Sequence, residues 1–143
     1  MVRPGAVRVS GRVQPPAPPY AELAVTTNFS FLRGASHPQE MVAQAAEFGL
    51  RAIGIADRNT LAGVVRGYGE TKRRVKAGNP SIAYLAGVRL VTREGFEAVT
   101  YPMDRDAYGR LCRLLTNGNR RSRKGQCDFG VSELLDASPG QIF

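Results

Sequence analysis

Hydrophobic and polar residues follow two different periods along this chain, and the two periods alternate. Residues 20–27 alternate in the manner of a strand, with Leu23 and Val25 on one face. Residues 51–56 repeat the strand pattern. The apolar residues between these two stretches are spaced for one face of a helix. The pattern therefore predicts that strands and helices alternate from residue 20 onwards.

The first predicted helix has a recognisable start and end. Ser36 stands three residues before Gln39, with Pro38 in the first turn, which is typical of a capping box. Gly49 is predicted to end the helix, because glycine tolerates a left-handed backbone. Its buried stripe is predicted to consist of Met41, Val42, Ala45 and Ala46.

A second helix and a hairpin are predicted next. Asp57 ends the second strand, and the helix spans about residues 61–76. Strands at 81–92 and 96–101 flank a tight turn and form a hairpin, and Gly87 predicts a bend in the first of them.

The remaining elements are helical. Asp104 is predicted to cap a third helix that ends at Asn117 and Gly118. A basic loop follows, then a short helix near 132–137, and the last six residues form no predicted element.

The predicted order of elements, β-α-β-α-β-β-α-α, indicates the fold class. Alternating strands and helices favour an α/β fold in which helices pack on a parallel sheet. Three parallel strands with one hairpin leave a sheet edge and a face uncovered, so we expect the first part of an α/β barrel or layered domain. We divide the chain into a disordered Pro/Arg-rich tail at 1–19, an ordered part at 20–137 and an irregular tail at 138–143.

Composition excludes several classes of protein. Hydrophobic residues make up 43% of the 143 residues, which is enough for a core. No apolar run approaches the roughly 20 residues of a membrane helix. The two cysteines exclude a disulfide-dense scaffold and favour a reducing cytoplasm. We expect Cys112 in the core and Cys127 in a loop, and we interpret the single histidine, His37, as a surface or capping residue.

Positive charge is the remaining compositional signal. The chain carries 20 Lys and Arg against 12 Asp and Glu, a formal net charge of +8. The run at 72–76 ends a predicted helix, where cations suit the helix dipole. A second run has no such explanation, and it is either a solvated surface or a contact for nucleic-acid phosphates. Its members are Arg120, Arg121, Arg123 and Lys124.

Several segments resemble one protein family. The stretches NFSFLRGASHP, at 28–38, and ADRNTLAGVVR, at 56–66, are long and occur in the family's order. Together with LAGVRLVT at 85–92, they resemble the polymerase and histidinol phosphatase (PHP) domain of bacterial error-prone DNA polymerases of the C family. These are relatives of the polymerase III alpha subunit. The resemblance covers about residues 20–136.

The resemblance implies a fold and a context. The family fold is a distorted (β/α)7 barrel, of which this chain would hold the first three to four strands with their helices. Family members are several times longer, and their nucleotide-transfer aspartates lie in a palm that nothing here resembles. The implied partners are DNA and the remaining polymerase domains, in a bacterial cytoplasm, without a membrane or a small-molecule substrate. The last residues, SPGQIF, do not continue the family pattern, so we expect a fragment.

The resemblance also locates the positions of the family's metal ligands. A His-x-His pattern after the first strand falls on Ala24 and Thr26. An Asp-His pattern after the second strand falls on Asp57 and Arg58, and a Gly-x-Glu pattern puts Arg89 at the carboxylate position. An arginine cannot be deprotonated in a protein and repels a cation. We therefore expect no bound metal, no cofactor and no catalytic residue, with Asp57 as a remnant.

The remnant carboxylate allows two interpretations. Arg58 and Arg89 could pair with Glu22 and Asp57, so that guanidinium charge replaces metal charge. Alternatively, Asp57 only caps the loop and helix that follow it.

Three functions follow from these patterns. The first is a PHP module without metal that serves an error-prone polymerase as a scaffold in damage-induced DNA synthesis. The second is a metal-dependent phosphoesterase or 3′–5′ exonuclease, which the lost ligands oppose. The third is a stand-alone basic module that binds nucleic acid.

Overall fold

The computed structural model describes residues 19–143, and within them the strands form one open sheet. In chain order the elements are β1 (Ala21–Val25), α1 (Pro38–Glu47), β2 (Ala52–Arg58), α2 (Val64–Lys76), β3 (Ala83–Val91), β4 (Glu97–Pro102), α3 (Arg105–Arg121), α4 (Val131–Asp136) and β5 (Gln141–Ile142). The strands lie side by side in the order β1-β2-β3-β4-β5. β1, β2 and β3 are parallel, whereas β4 and β5 are antiparallel to their neighbours.

This architecture confirms the mixed α/β class and the predicted hairpin. The five-stranded sheet of the described residues is open and is not closed into a barrel. The partial barrel therefore stays a prediction. The division of the chain at residues 19 and 137 also stays a prediction. The predicted tail at 1–19 lies outside the described residues except for Pro19. Within the described part of the chain, no helix is long and apolar enough to cross a membrane.

Several predicted boundaries are wrong, and packing explains them. Asp57 does not end β2, which continues through Arg58 in register with β3. The helix α3 continues past Gly118 to Arg121. A Cβ on Gly118 would lie 2.7 Å from Sγ of Cys127, so this glycine allows close packing inside a helix and does not end it.

The expectations for the start of α1 and for the last residues are also wrong, whereas the cap of α3 is confirmed. The N-cap of α1 is His37 and not Ser36, and the Glu40 carboxylate accepts a hydrogen bond from the His37 N–H at 2.9 Å. Asp104 caps α3 as predicted, because its carboxylate accepts from the Ala107 N–H at 2.7 Å. The last residues were expected to form no element, but β5 extends the sheet by pairing with β4.

All four helices pack on the same face of the sheet. Ile53 and Ile55 of β2 contact α1, and their register partners in β3 lie on the same side. Val88 and Leu90 of β3 continue this face, where they pack against α3 and α4. The buried side chains of α3 and α4 in this cluster are Leu111, Leu114, Leu115 and Leu134.

One sequence expectation about this face is wrong at β1. Val25 is 7% exposed and lies in the core, but Leu23 is 46% exposed. The register shifts between Glu22 and Val25, which breaks the alternation that would have placed Leu23 and Val25 together.

On the opposite face of the sheet, one aromatic ring packs closely against the strands. Tyr101 of β4 lies across two glycines, one in β3 and one in β2. A Cβ on Gly87 would lie 2.3 Å from Cε1 of Tyr101, and a Cβ on Gly54 would lie 2.6 Å from its hydroxyl oxygen. Burial raises the pKa of Tyr101. Gly87 therefore makes room for a ring, whereas the sequence had suggested a bend.

We expect Gly87→Ala to lower the free energy of unfolding by about 1–3 kcal/mol, because the methyl group overlaps Tyr101. Gly69→Ala in α2 is the matched control. A Cβ there meets nothing within 4 Å, so the change should stabilise the helix by up to about 1 kcal/mol. Urea unfolding of both variants measures the difference. Equal effects at the two glycines would contradict the packing described for Tyr101.

Candidate functional site at the carboxyl edge of the sheet

The parallel strands bring their carboxyl ends to one edge of the sheet, which we call the carboxyl edge. β1 ends there at Val25, β2 at Arg58 and β3 at Val91. This edge is where α/β proteins assemble their sites. Four of the five positions that the resemblance assigned to metal binding do not provide a ligand. Ala24 is exposed, Thr26 is half-buried, and Arg58 and Arg89 are cations.

Asp57 is the most buried charged group of the site. It is 1% exposed and its carboxylate accepts three hydrogen bonds of 2.7 Å. Oδ1 accepts from the Thr27 N–H and from the Ser30 hydroxyl, and Oδ2 accepts from the Thr27 hydroxyl. The Ser30 oxygen in turn accepts from the Arg58 N–H at 2.9 Å. The end of β2 is thereby joined to the loop that follows β1.

This geometry contradicts both interpretations of Asp57. Its carboxylate holds the loop after β1 and pairs with neither arginine, so the expectation of an ion pair with Arg58 or Arg89 is wrong. The expectation that it caps the segment after it is also wrong, because its donors precede it in the chain. Oδ2 does lie close to the start of α2, where a Cβ on Gly63 would be 3.2 Å away. A negative charge there suits the helix dipole.

Arg58 and Arg89 instead share Glu97 of β4. The two arginines are register partners in β2 and β3, so their side chains leave the same face of the sheet. Nη1 of Arg89 lies 2.6 Å from Oε1 of Glu97, and Nη1 of Arg58 lies 3.9 Å from Oε2. Glu22 was the expected partner, but it accepts a hydrogen bond from the Tyr20 hydroxyl at 2.7 Å.

The charges of this cluster do not cancel. The hydrogen bond from Arg89 lowers the pKa of Glu97, and the positive charges of Arg58 and Arg33 lower it further. Because the pKa falls on folding, the ion pair contributes to stability at neutral pH and is lost as the pH falls through the lowered pKa. Arg58 and Arg89 contact this one carboxylate and Arg33 adds a further positive charge nearby, so this part of the edge carries more positive than negative charge.

The residues at the carboxyl edge do not fit a metal cluster. Asp57, the one position where the resemblance left a ligand, already accepts hydrogen bonds on both oxygens. Across residues 19–143, no group of three or more His, Cys, Asp or Glu side chains lies close enough together to hold a metal ion. The cluster of Arg58, Arg89 and Glu97 presents positive charge at the family's ligand positions.

A cleft of about 560 Å³ opens beside the arginine cluster. One wall is the loop after β1, with Phe29, Phe31 and Arg33. The opposite wall is formed by the end of α3 and the segment after it, with Asn119 and residues 125–127. The ends of β2 and β3, with Arg58 to Thr60 and Val91 to Arg93, form its floor. This volume lies within the range of small-molecule sites.

The predicted basic run borders this cleft, but its members differ in role. Arg121 lies in the last turn of α3, where it contacts Glu133 at 2.5 Å and donates to the Asp128 carbonyl at 2.9 Å. Its charge therefore joins α3 to α4. Arg120, Arg123 and Lys124 are exposed. The run begins in a helix, so the prediction that it lies wholly in a loop is wrong.

The lone histidine and the cysteines take no part in the carboxyl edge as ligands. Nδ1 of His37 lies 2.9 Å from Nδ2 of Asn28 and stands at the start of α1, as a capping role implies. Cys127 lines the cleft, but burial raises the pKa of its thiol to about 11, so it is a poor nucleophile at neutral pH. Cys112 is half-buried on α3 and not fully in the core as expected.

Sequence reasoning missed the residues that partner the site. Glu97 lies eight residues beyond Arg89, in the other strand of the predicted hairpin, but its contact with both arginines depends on the register of β4 against β3 and of β3 against β2. Thr27 and Ser30 are small hydroxyl residues in a loop. The only feature of the sequence that pointed to them as site residues is that they are polar and follow directly after a predicted strand.

Comparison with models of protein families identifies the family of this chain. The model of the PHP domain family matches residues 22–138, and the chain belongs to this family. The resemblance read from the sequence is therefore confirmed.

Known relatives place this domain within larger proteins. An error-prone DNA polymerase of Rhodopseudomonas palustris strain BisB5 is 54% identical over 124 residues, which cover 86% of this chain and 11% of that protein. An error-prone DNA polymerase of Caulobacter vibrioides is 52% identical over 126 residues, with 87% and 11% covered. The chain thus spans about a tenth of the length of these relatives.

Solved structures agree on the fold. A candidate metal-dependent phosphoesterase from Bifidobacterium adolescentis superposes with a TM-score of 0.53 at 23% identity, over 75% of this chain and 35% of that one. An amidohydrolase from Chromobacterium violaceum gives a TM-score of 0.55 at 21% identity, over 70% and 33%.

We expect Asp57→Asn to lower the free energy of unfolding by about 2–3 kcal/mol, because an amide nitrogen would face donors that a carboxylate now accepts from. Asp104→Asn is the matched control. The change should be below about 0.5 kcal/mol there, since Asn and Asp cap helices equally well. Denaturant titration of both variants checks this. A neutral Asp57→Asn would show that the loop after β1 does not depend on the carboxylate.

Proposed function

We propose that this chain is a PHP domain that has lost its metal site and that serves an error-prone DNA polymerase as a structural module during damage-induced DNA synthesis. The observation that carries the proposal is the cluster of Arg58, Glu97 and Arg89 at the carboxyl edge. Two guanidinium groups stand at positions where the family pattern has metal ligands. Their positive charge opposes a cation at the same place.

Metal-dependent phosphoester cleavage needs a cation that polarises the phosphoryl group and activates water. The chain offers one family carboxylate, Asp57, whose two oxygens already accept three hydrogen bonds from Thr27 and Ser30. Replacing one arginine would leave the other ligands missing. The residues of the carboxyl edge therefore support a structural role over hydrolysis.

The named relatives support the polymerase context. The matched proteins are called error-prone DNA polymerases, and this chain corresponds to about a tenth of their length. We propose the other polymerase domains and DNA as partners, in the bacterial cytoplasm. The domain would contribute by packing, and the hydrogen bonds around Asp57 together with the close packing of Tyr101 on Gly87 and Gly54 give it a defined surface.

The loss of the metal site predicts weak metal binding. The full chain, purified and exposed to zinc or manganese and then desalted, should retain far less than one equivalent by elemental analysis. EDTA should leave its melting temperature unchanged. Arg89→Glu should behave in the same way, because the other ligands are still missing.

A phosphodiesterase assay on the same samples completes this experiment. We expect no turnover of a phosphodiester substrate with either metal. Stoichiometric zinc or manganese together with EDTA-sensitive turnover would contradict the proposal and favour the metal-dependent phosphoesterase or 3′–5′ exonuclease.

The structural role predicts that the domain can be exchanged between relatives. Residues 20–143 should replace the matching segment of the Rhodopseudomonas palustris polymerase and retain primer extension, because 54% identity preserves most packing positions. Asp57→Asn in this chimera should reduce the yield of soluble polymerase, whereas Asp104→Asn should not. A chimera that is soluble and folded but cannot extend primers would contradict the structural role.

A further inference from the structure

The cleft at the carboxyl edge has an uneven distribution of charge. Arg33 and Arg58 line it, and Arg89 stands beside Arg58 in the neighbouring strand. Glu97 is the carboxylate that Arg58 and Arg89 share, and the field of Arg33 also reaches it. Three positive charges against one negative charge leave an excess that suits an anion. The side chains of Thr60, Asn119 and Gln126 add uncharged polar groups to the walls.

The loop after β1 displays an aromatic ring on this cleft. Phe31 lines the cleft and is 84% exposed, and the adjacent Leu32 is 88% exposed. Neither apolar side chain is buried in the described part of the chain, so core packing does not explain why these two residues are apolar. Arg33 follows them directly, so the ring and a guanidinium group occupy the same wall.

The backbone of this loop is held firmly despite its exposed side chains. The Ser30 carbonyl accepts hydrogen bonds from the N–H groups of Arg33 and Gly34, at 2.9 and 3.1 Å. The Ser30 hydroxyl donates to the buried Asp57 carboxylate. Gly34 packs so closely that an added Cβ would lie 2.3 Å from the Thr27 carbonyl oxygen. Leu32 has a φ of 59°, a left-handed conformation that is uncommon for residues other than glycine.

We propose that this cleft binds single-stranded nucleic acid, with a base stacked on Phe31 and the adjoining phosphates held by Arg33 and Arg58. A rigid aromatic ring beside a positively charged groove is the arrangement that binds single strands without sequence preference. Arginine forms bidentate hydrogen bonds with phosphate oxygens. The exposed Arg123 and Lys124, between Asn119 and Gly125 on the opposite wall, extend the positive surface along which a strand would run.

The ring distinguishes a single strand from other phosphate ligands. In a duplex the base faces are already covered by their neighbours, so Phe31 would gain no stacking partner. A free phosphate ion would use the arginines and leave Phe31 without a role. The proposal rests on the geometry of the cleft and does not depend on a structural role within a polymerase.

Fluorescence anisotropy with a labelled 12-residue oligothymidylate tests the proposal on the full 143-residue chain. We expect Phe31→Ala to weaken binding by about 5- to 150-fold. Arg33→Gln and Arg58→Gln should each weaken binding and each reduce the slope of log K against log salt by about 0.7. An abasic oligomer of the same length should bind the wild type about as weakly as the oligothymidylate binds Phe31→Ala.

Two residues at the other end of the sheet provide matched controls. Phe48 follows α1 and is also an exposed phenylalanine, and Arg51 precedes β2, whose other end is Arg58. Phe48→Ala and Arg51→Gln should bind the oligomer within about twofold of the wild type, since neither lines the cleft. Circular dichroism and melting temperature verify that each variant folds.

Four results would overturn the proposal. One is an oligomer affinity unchanged by Phe31→Ala, which would indicate phosphate contact alone. Another is a 12-base-pair duplex that binds as tightly as the single strand. The third is displacement of the oligomer by millimolar inorganic phosphate at constant ionic strength, which would indicate a phosphate-ion site. The last is the absence of oligomer binding at 50 mM salt, since phosphate contacts are strongest at low salt.

Discussion

The buried carboxylate of Asp57 is the interaction on which the candidate site depends. Its oxygens take three hydrogen bonds from the loop after β1, and removing a carboxylate from water is favourable only when such donors replace the lost hydration. The bonds join two strands that are neighbours in the sheet and distant along the chain. They determine the path of the loop that carries Phe31 and Arg33. Asp57, which the sequence resemblance matched to a metal ligand of the family, thus organises this loop through hydrogen bonds.

The arginines show how the same edge of the sheet changes character through a few substitutions. In a parallel sheet, Arg58 and Arg89 are brought side by side by strand register alone. Two adjacent guanidinium groups repel each other, and Glu97 of the antiparallel β4 offsets that repulsion. The remaining positive charge lies next to the cleft. This surplus of guanidinium groups is the basis for the anion-binding cleft that we propose at this edge.

Local sequence predicted most of the elements but fewer of their ends. Helix caps such as Asp104 and the glycine turn between β3 and β4 are read from adjacent residues, because their hydrogen bonds are local. Gly118 and Gly87 were misread, since each makes room for a side chain from elsewhere, Cys127 and Tyr101. The residue type alone does not distinguish a glycine that permits close packing from a glycine that ends or bends an element. Only the neighbours in space distinguish them.

The sequence by itself determined the alternation of strands and helices and the membership in the PHP family, and its resemblance to that family predicted arginine at two ligand positions. These properties depend on residue type and on spacing along the chain. The tertiary structure decided the partners: Glu97 for Arg58 and Arg89, and Thr27 and Ser30 for Asp57. It also decided that the loop after β1 and the segment after α3 face each other across one cleft. The physical reason is that ion pairs and buried hydrogen bonds act over a few ångströms in space, and strand pairing determines which residues come that close.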